Sequence, residues 1–148
     1  MSKISGKVLP LEVRSELHAV ATPVRKEKGA ILFRAGQPGR GAFLIRSGKV
    51  RLTLDVASGL YPPRTVSSGA VIGLPATFSG EPYSLTAEVE KTCRMDFIPR
   101  RRLLNLLLRN PKTGFQIVRI LSEEIFQMRR AAKRSISSGA LTTKKAWL

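Results

Sequence analysis

Residues Gly69–Ala87 read GAVIGLPATFSGEPYSLTA. Glycines at 69, 73 and 80 divide this stretch into short pieces, and Ser79-Gly80-Glu81-Pro82 supplies a turn. The spacing is that of a loop that cradles a phosphate between two strands, with backbone N–H groups facing an anion. Ala70–Ile72 and Leu85–Val89 are the expected flanking strands, so this region predicts a β fold.

The segments on either side have the same texture. Ala30-Ile31-Leu32-Phe33 is an apolar run closed by the turn Gly36-Gln37-Pro38-Gly39. Ala42-Phe43-Leu44-Ile45 follows, and Arg46-Ser47-Gly48-Lys49 carries a hairpin signal. Val50, Leu52 and Leu54 then alternate with Arg51, Thr53 and Asp55, as in a half-buried strand. Further turn signals stand at Ser58-Gly59, Pro62-Pro63 and Ser67-Ser68-Gly69, and further strands are expected at Arg64–Val66 and Arg94–Ile98. About seven short strands between glycine-rich turns indicate a β-sandwich or barrel-like roll.

Helical patterns bracket the roll. Leu9–Ala21 carries Leu11, Val13, Leu17 and Val20 and has Pro10 in its first turn; Thr22-Pro23 ends it. Beyond Pro99, Arg100–Arg109 reads as a compact helix. Asn110-Pro111 is a good N-cap and first-turn pair for a longer helix that runs to about Ser135. Its apolar positions Val118, Leu121, Ile125, Met128 and Ala132 recur at alternating three- and four-residue steps. That is the seam of a coiled coil, so a homodimer is expected; the alternative is that the seam packs on the roll of its own chain. The expected organisation is a helical segment over 1–28, a roll over 29–98, two helices over 99–136 and a tail over 137–148.

Composition narrows the function classes. With 148 residues, 43% of them apolar, the chain can bury a real core. One cysteine, Cys93, and one histidine, His18, exclude an internal disulfide and argue against a metal centre built from this chain alone, so no cofactor is expected. A haem or metal role for His18 and a redox role for Cys93 are both disfavoured, Cys93 because it alternates with Met95 and Phe97 toward the core. The chain has no membrane-length apolar run and no secretion signal, so a cytoplasmic protein is expected. Twenty-six basic against ten acidic residues leave a net charge of +16, which favours polyanions. The clusters Arg100-Arg101-Arg102 and Arg129-Arg130-Lys133-Arg134 are the candidate phosphate contacts, against the simpler reading of a solvated basic face. A nucleophile–base set, a carboxylate pair and a P-loop are all missing, so the chain is not expected to be an enzyme.

The order roll, short helix, long helix resembles that of cyclic-nucleotide-binding domains, and the residues agree. Residues 31–38 (ILFRAGQP) resemble the family's first strand and glycine turn, residues 43–52 (FLIRSGKVRL) its recurrent hairpin, and Gly69, Gly73 and Ser79-Gly80-Glu81-Pro82 its phosphate-binding cassette. The long helix directly after the roll looks most like the sensor half of CRP/FNR transcription regulators. The resemblance implies a mainly β fold with helices: a double-stranded β-helix, or jelly-roll-like β-roll, with an N-terminal helix, a short helix and a long C-terminal dimerisation helix. It also implies an allosteric sensor.

The same resemblance points to a pocket made by Gly73, Leu74, Pro82, Tyr83, Ser84 and Leu85. Where the family has Gly-Glu, whose acid accepts the ribose hydroxyl, this chain has Gly73-Leu74. Where the family has Pro-Arg-Ser/Thr-Ala, whose arginine pairs the cyclic phosphate, it has Pro82-Tyr83-Ser84-Leu85. Ser84 is retained, and Glu81 lies at the turn outside the pocket. Losing a buried charge partner costs about 2–5 kcal/mol. Losing a charge-assisted hydrogen bond adds roughly 1.5–3 kcal/mol. The low end of the sum, about 3.5 kcal/mol, exceeds two decades of affinity. The expectation is a sensor domain that does not bind cyclic AMP or cyclic GMP in the usual way. Two alternatives remain open: a dimerisation or scaffold module whose pocket is filled by Tyr83 and Leu74, and a non-specific polyanion binder. A helix-turn-helix half needs about sixty more residues, so this chain is not expected to read DNA sequence by itself.

Overall fold

The structure is a computed structural model that describes residues 9–54 and 63–123. Its elements in chain order are α1 (Leu11–Ala19), β1 (Thr22–Lys26), β2 (Ile31–Phe33), β3 (Gly41–Leu54), β4 (Arg64–Val66), β5 (Val71–Ile72), α2 (Leu74–Ser79), β6 (Leu85–Pro99) and α3 (Arg100–Arg109). Residues 111–123 form a further helix, α4.

Two long strands organise the molecule. β3 and β6 pair antiparallel from Gly41↔Pro99 to Leu54↔Leu85. Near one end of this ribbon, β1 joins β6 and β5 joins β3 (Phe43↔Ile72). Near the other end, β2 joins β6 and β4 joins β3 (Val50↔Val66). The ribbon thus belongs to two half-sheets, β1-β6-β3-β5 and β2-β6-β3-β4. Both contribute to one core: Phe43, Ile45, Ile72 and Met95 from the first meet Phe33, Val50, Leu52, Val66, Ala87 and Val89 from the second. The two halves therefore fold face to face as a β-roll.

The fold back occurs at a bulge. The register shifts between Ile45 and Val50, opposite Val89 to Met95. Gly48 sits in the shift with φ +98°, a conformation that L side chains rarely adopt. The Arg46-Ser47-Gly48-Lys49 hairpin expected from sequence is therefore corrected to a bulge inside one continuous strand. The separate strands expected at Leu85–Val89 and Arg94–Ile98 are likewise one strand. β1 is an addition: the chain leaves α1 and enters the sheet directly at Thr22.

The outer face of the first half-sheet is covered by helices. Side chains alternate along β3, so Phe43 and Ile45 face the roll interior while Ala42 and Leu44 face out. Ala42, Leu44, Val71 and Ile98 join Leu9, Val13 and Leu17, Leu74, Leu103 and Leu106, and Ile117, Ile120 and Leu121 in a second core. Burial on both faces explains why residues 41–45 are an uninterrupted buried run.

Two outcomes follow from the bulge. A Cβ at Gly48 would overlap the Thr92 carbonyl and lie 2.7 Å from Cys93 Sγ. Gly48→Ala should lose at least about 2 kcal/mol of unfolding free energy in urea denaturation. The Cys93 side chain is buried, donates to the Lys91 carbonyl at 3.1 Å, and has its pKa raised above the ordinary 9.0 by desolvation. The folded state then holds this proton where the unfolded chain has released it. Stability contributed by Cys93 is present below the ordinary thiol pKa and is lost as pH rises past it. Native protein should resist thiol alkylation until denaturant is added, and Cys93→Ala should flatten the loss of Tm at alkaline pH.

Candidate functional site

The cassette is built by two left-handed glycines around a single short helix. Gly73 (φ 79°) and Gly80 (φ 81°) cap the two ends of α2. Thr77 locks the first turn, its backbone N–H and its hydroxyl both donating to the Gly73 carbonyl at 3.1 and 2.7 Å. Gly80 N–H donates to Ala76 O at 2.7 Å, and Ser79 Oγ accepts from Glu81 N–H at 3.1 Å. The arm beyond the helix is laced to the 36–39 turn: Tyr83 N–H donates to Gln37 O, Gly36 N–H to Tyr83 O and Gly39 N–H to Glu81 O, while Pro82 bridges Pro38. The N–H groups of Thr77, Gly80, Glu81 and Tyr83 are thus all used within the chain.

Tyr83, which the sequence matches to the family's phosphate arginine, is buried. Its ring stacks on Phe33 at 3.9 Å between centroids with 12° between planes. Its hydroxyl donates to Gly41 O at 2.6 Å and accepts from Gly41 N–H at 3.1 Å and Arg40 N–H at 3.2 Å. One donor and two acceptor sites are the whole capacity of a phenol hydroxyl, so none remains for a ligand. Gly73 is needed beside this ring, because a Cβ there would lie 3.0 Å from Tyr83 Cε1 and 3.2 Å from Phe33 Cε2.

The other cassette residues separate. Leu74 is buried, but in the helical core with Leu44, Leu103 and Ile117 rather than in the roll interior, so of the two expected pocket fillers only Tyr83 lies in the roll core. Leu85 packs against the roll core from its rim. Pro82, Ser84 and Glu81 are exposed.

The expected seam also divides. Leu121 belongs to the chain's own core with Ile117 and Ile120, while Val118 is exposed beside Phe115. Ile125, Met128 and Ala132 lie outside the described residues, as does the cluster at Arg129, Arg130, Lys133 and Arg134. In the other basic cluster, Arg100 packs its guanidinium against Gly80, Arg102 donates to Val20 O at 3.4 Å, and Arg101 is exposed. One constellation went unread in the sequence: the buried Asp96 accepts from His18 Nδ1 at 2.7 Å and Arg46 Nη1 at 3.0 Å. An aspartate between Met95 and Phe97 in an apolar strand was its only local sign.

Residues 23–110 match the cyclic nucleotide-binding domain family. The chain belongs to that family, as a sensor domain of the CRP/FNR type, which is not enzymatic. It is 32% identical over 129 residues to the transcriptional activator protein FnrA of Stutzerimonas stutzeri, covering 82% of this chain and 52% of that protein. The chain therefore spans about half the length of this curated relative. Solved structures share the fold. The catabolite activator protein of Thermus thermophilus superposes with a TM-score of 0.69 at 20% identity, over 88% of this chain and 61% of that one. The sensor domain of the regulator DNR from Pseudomonas aeruginosa gives 0.63 at 21% identity, over 82% and 83%. Among the described residues, no helix is long and apolar enough to cross a membrane.

Removing the Tyr83 hydroxyl tests its structural part. Tyr83→Phe keeps the stacking and leaves the backbone groups of Gly41 without a partner. It should cost about 1–3 kcal/mol in urea denaturation.

Proposed function

We propose that this chain is the sensor half of a transcription regulator whose cassette is closed to cyclic AMP and cyclic GMP. The observation that carries the reading is Tyr83. The sequence matches it to the family's phosphate arginine, its ring is stacked in the core, and its hydroxyl is saturated by the backbone at residues 40 and 41. A nucleotide phosphate would have to displace that ring and would find no cation in its place. Leu74 provides no acid for a ribose hydroxyl and is turned into the helical core. In this reading the cassette is a fixed brace between the roll and α2, and a signal reaches α4 through the helical core that Leu74, Leu103 and Ile117 share. Calorimetric titration of the chain with each nucleotide should give no micromolar binding, and a micromolar Kd for either one would overturn the proposal.

The regulators of this family typically dimerise, and we infer that this chain does so through α4. Phe115 is 67% and Val118 43% exposed on that helix, an apolar surface facing away from the core residues Ile117, Ile120 and Leu121. Phe115→Glu combined with Val118→Glu should shift a sedimenting dimer to a monomer without loss of helical circular dichroism. Unchanged sedimentation of the double variant would place the interface elsewhere.

A further inference from the structure

A cleft of about 330 Å³ lies between α1 and the first half-sheet, away from α2 and Tyr83. One wall is a single face of α1, Leu11, Arg14, Ser15 and His18, at the spacing that stacks side chains along a helix. The opposite wall is Leu44, Ile45 and Arg46 of β3, with Ser68 and Gly69 from the turn before β5. Its volume falls at the small end of ligand sites.

The charges in this cleft do not balance. Among the described residues, Asp96 is the carboxylate that pairs with its lining side chains, and it is already engaged by both His18 and Arg46. Arg14 has no acidic partner among the described residues, and its Nε is buried without a hydrogen-bond partner. Native proteins seldom leave a buried guanidinium donor unanswered. The neighbouring surface is apolar: Leu44 is buried behind the cleft, and Leu11 in its lining is 69% exposed. A bare inorganic anion would answer Arg14 and leave Leu11 wet, whereas an uncharged apolar molecule would do the reverse.

We propose that this cleft binds a small organic acid, its carboxylate on the Arg14 guanidinium and its apolar body against Leu11 and Leu44. The guanidinium fork suits a carboxylate, which accepts two parallel N–H bonds. Ser15 and Ser68 stand in the same lining to meet a further polar group. Neither Tyr83 nor α2 lines the site, so it stands or falls separately from the reading of Tyr83.

The test is an amide-resonance titration of the full chain with phenylacetate, its uncharged analogue phenylacetamide, and inorganic phosphate. Phenylacetate should give saturable shifts at Ser15, His18, Ser68 and Gly69. Phenylacetamide and phosphate should each bind at least about tenfold more weakly. Arg14→Met should abolish the phenylacetate response. Leu11→Asp changes an exposed residue in the first turn of α1, where an acid favours the helix, so it keeps the fold while placing a repelling carboxylate in the lining. It should weaken phenylacetate binding by at least about tenfold. The proposal is overturned by an absence of saturable shifts, by equal binding of phenylacetamide or phosphate, or by an undiminished response in folded Leu11→Asp.

Discussion

The pairing of β3 with β6 is the constraint on which the rest of the structure depends. Every other strand hydrogen-bonds to one of these two, and none of the four short strands pairs with another in the sheet. Strands of two or three residues, such as β5 and β2, have too few ladder bonds to persist alone. They are held because the ribbon presents an edge to each. The register shift at Gly48 then bends the ribbon so that its two ends share one core. A single backbone conformation, open to glycine at low cost, thereby sets the geometry of a whole roll.

The cassette is coupled to that ribbon through Tyr83. Its hydroxyl grips the backbone where β3 begins, and its ring lies on Phe33 of β2. Contacts within the chain consequently hold α2 in position. On the other side of the same helix, Leu74 enters the core formed by α1, α3 and α4. The cassette of this chain thus touches both hydrophobic cores. The segment from α2 to Tyr83 is a structural joint, while Arg14, whose Nε is buried without a hydrogen-bond partner, lines a different cleft.

Local pattern was enough to find much of this architecture. The alternation of Val50 and Leu52 with Arg51 and Thr53 matches their burial, and Arg64–Val66 is a strand as read. The turn glycines at 36, 69, 73 and 80 all take positive φ. Pattern failed where two meanings share one signature. Gly48 after a serine reads equally as a hairpin turn and as a bulge, and only the partner strand decides between them. β1 was missed because Thr22-Pro23 reads as a breaker, although Pro is tolerated at the start of an edge strand. Leu74 was placed in the pocket by its match to a family position. A match gives a position along the chain, but the direction of the side chain is set by the two glycine caps of α2.

The sequence by itself determined most of the strand and turn positions, the resemblance to the family, and the leucine and tyrosine at positions 74 and 83. These are local facts: residue identity, periodicity and glycine spacing carry them. Only the tertiary structure decided what those two side chains touch. Tyr83 could have offered its hydroxyl to a ligand or to the protein, and the answer came from Gly41, 42 residues away. Arg14, His18 and Arg46 gained a common cleft in the same way, since the contact of His18 with Asp96 spans 78 residues. A side chain's partners across such separations depend on how the β3–β6 ribbon bends, and that bend is a property of two paired strands that neither strand's sequence states alone.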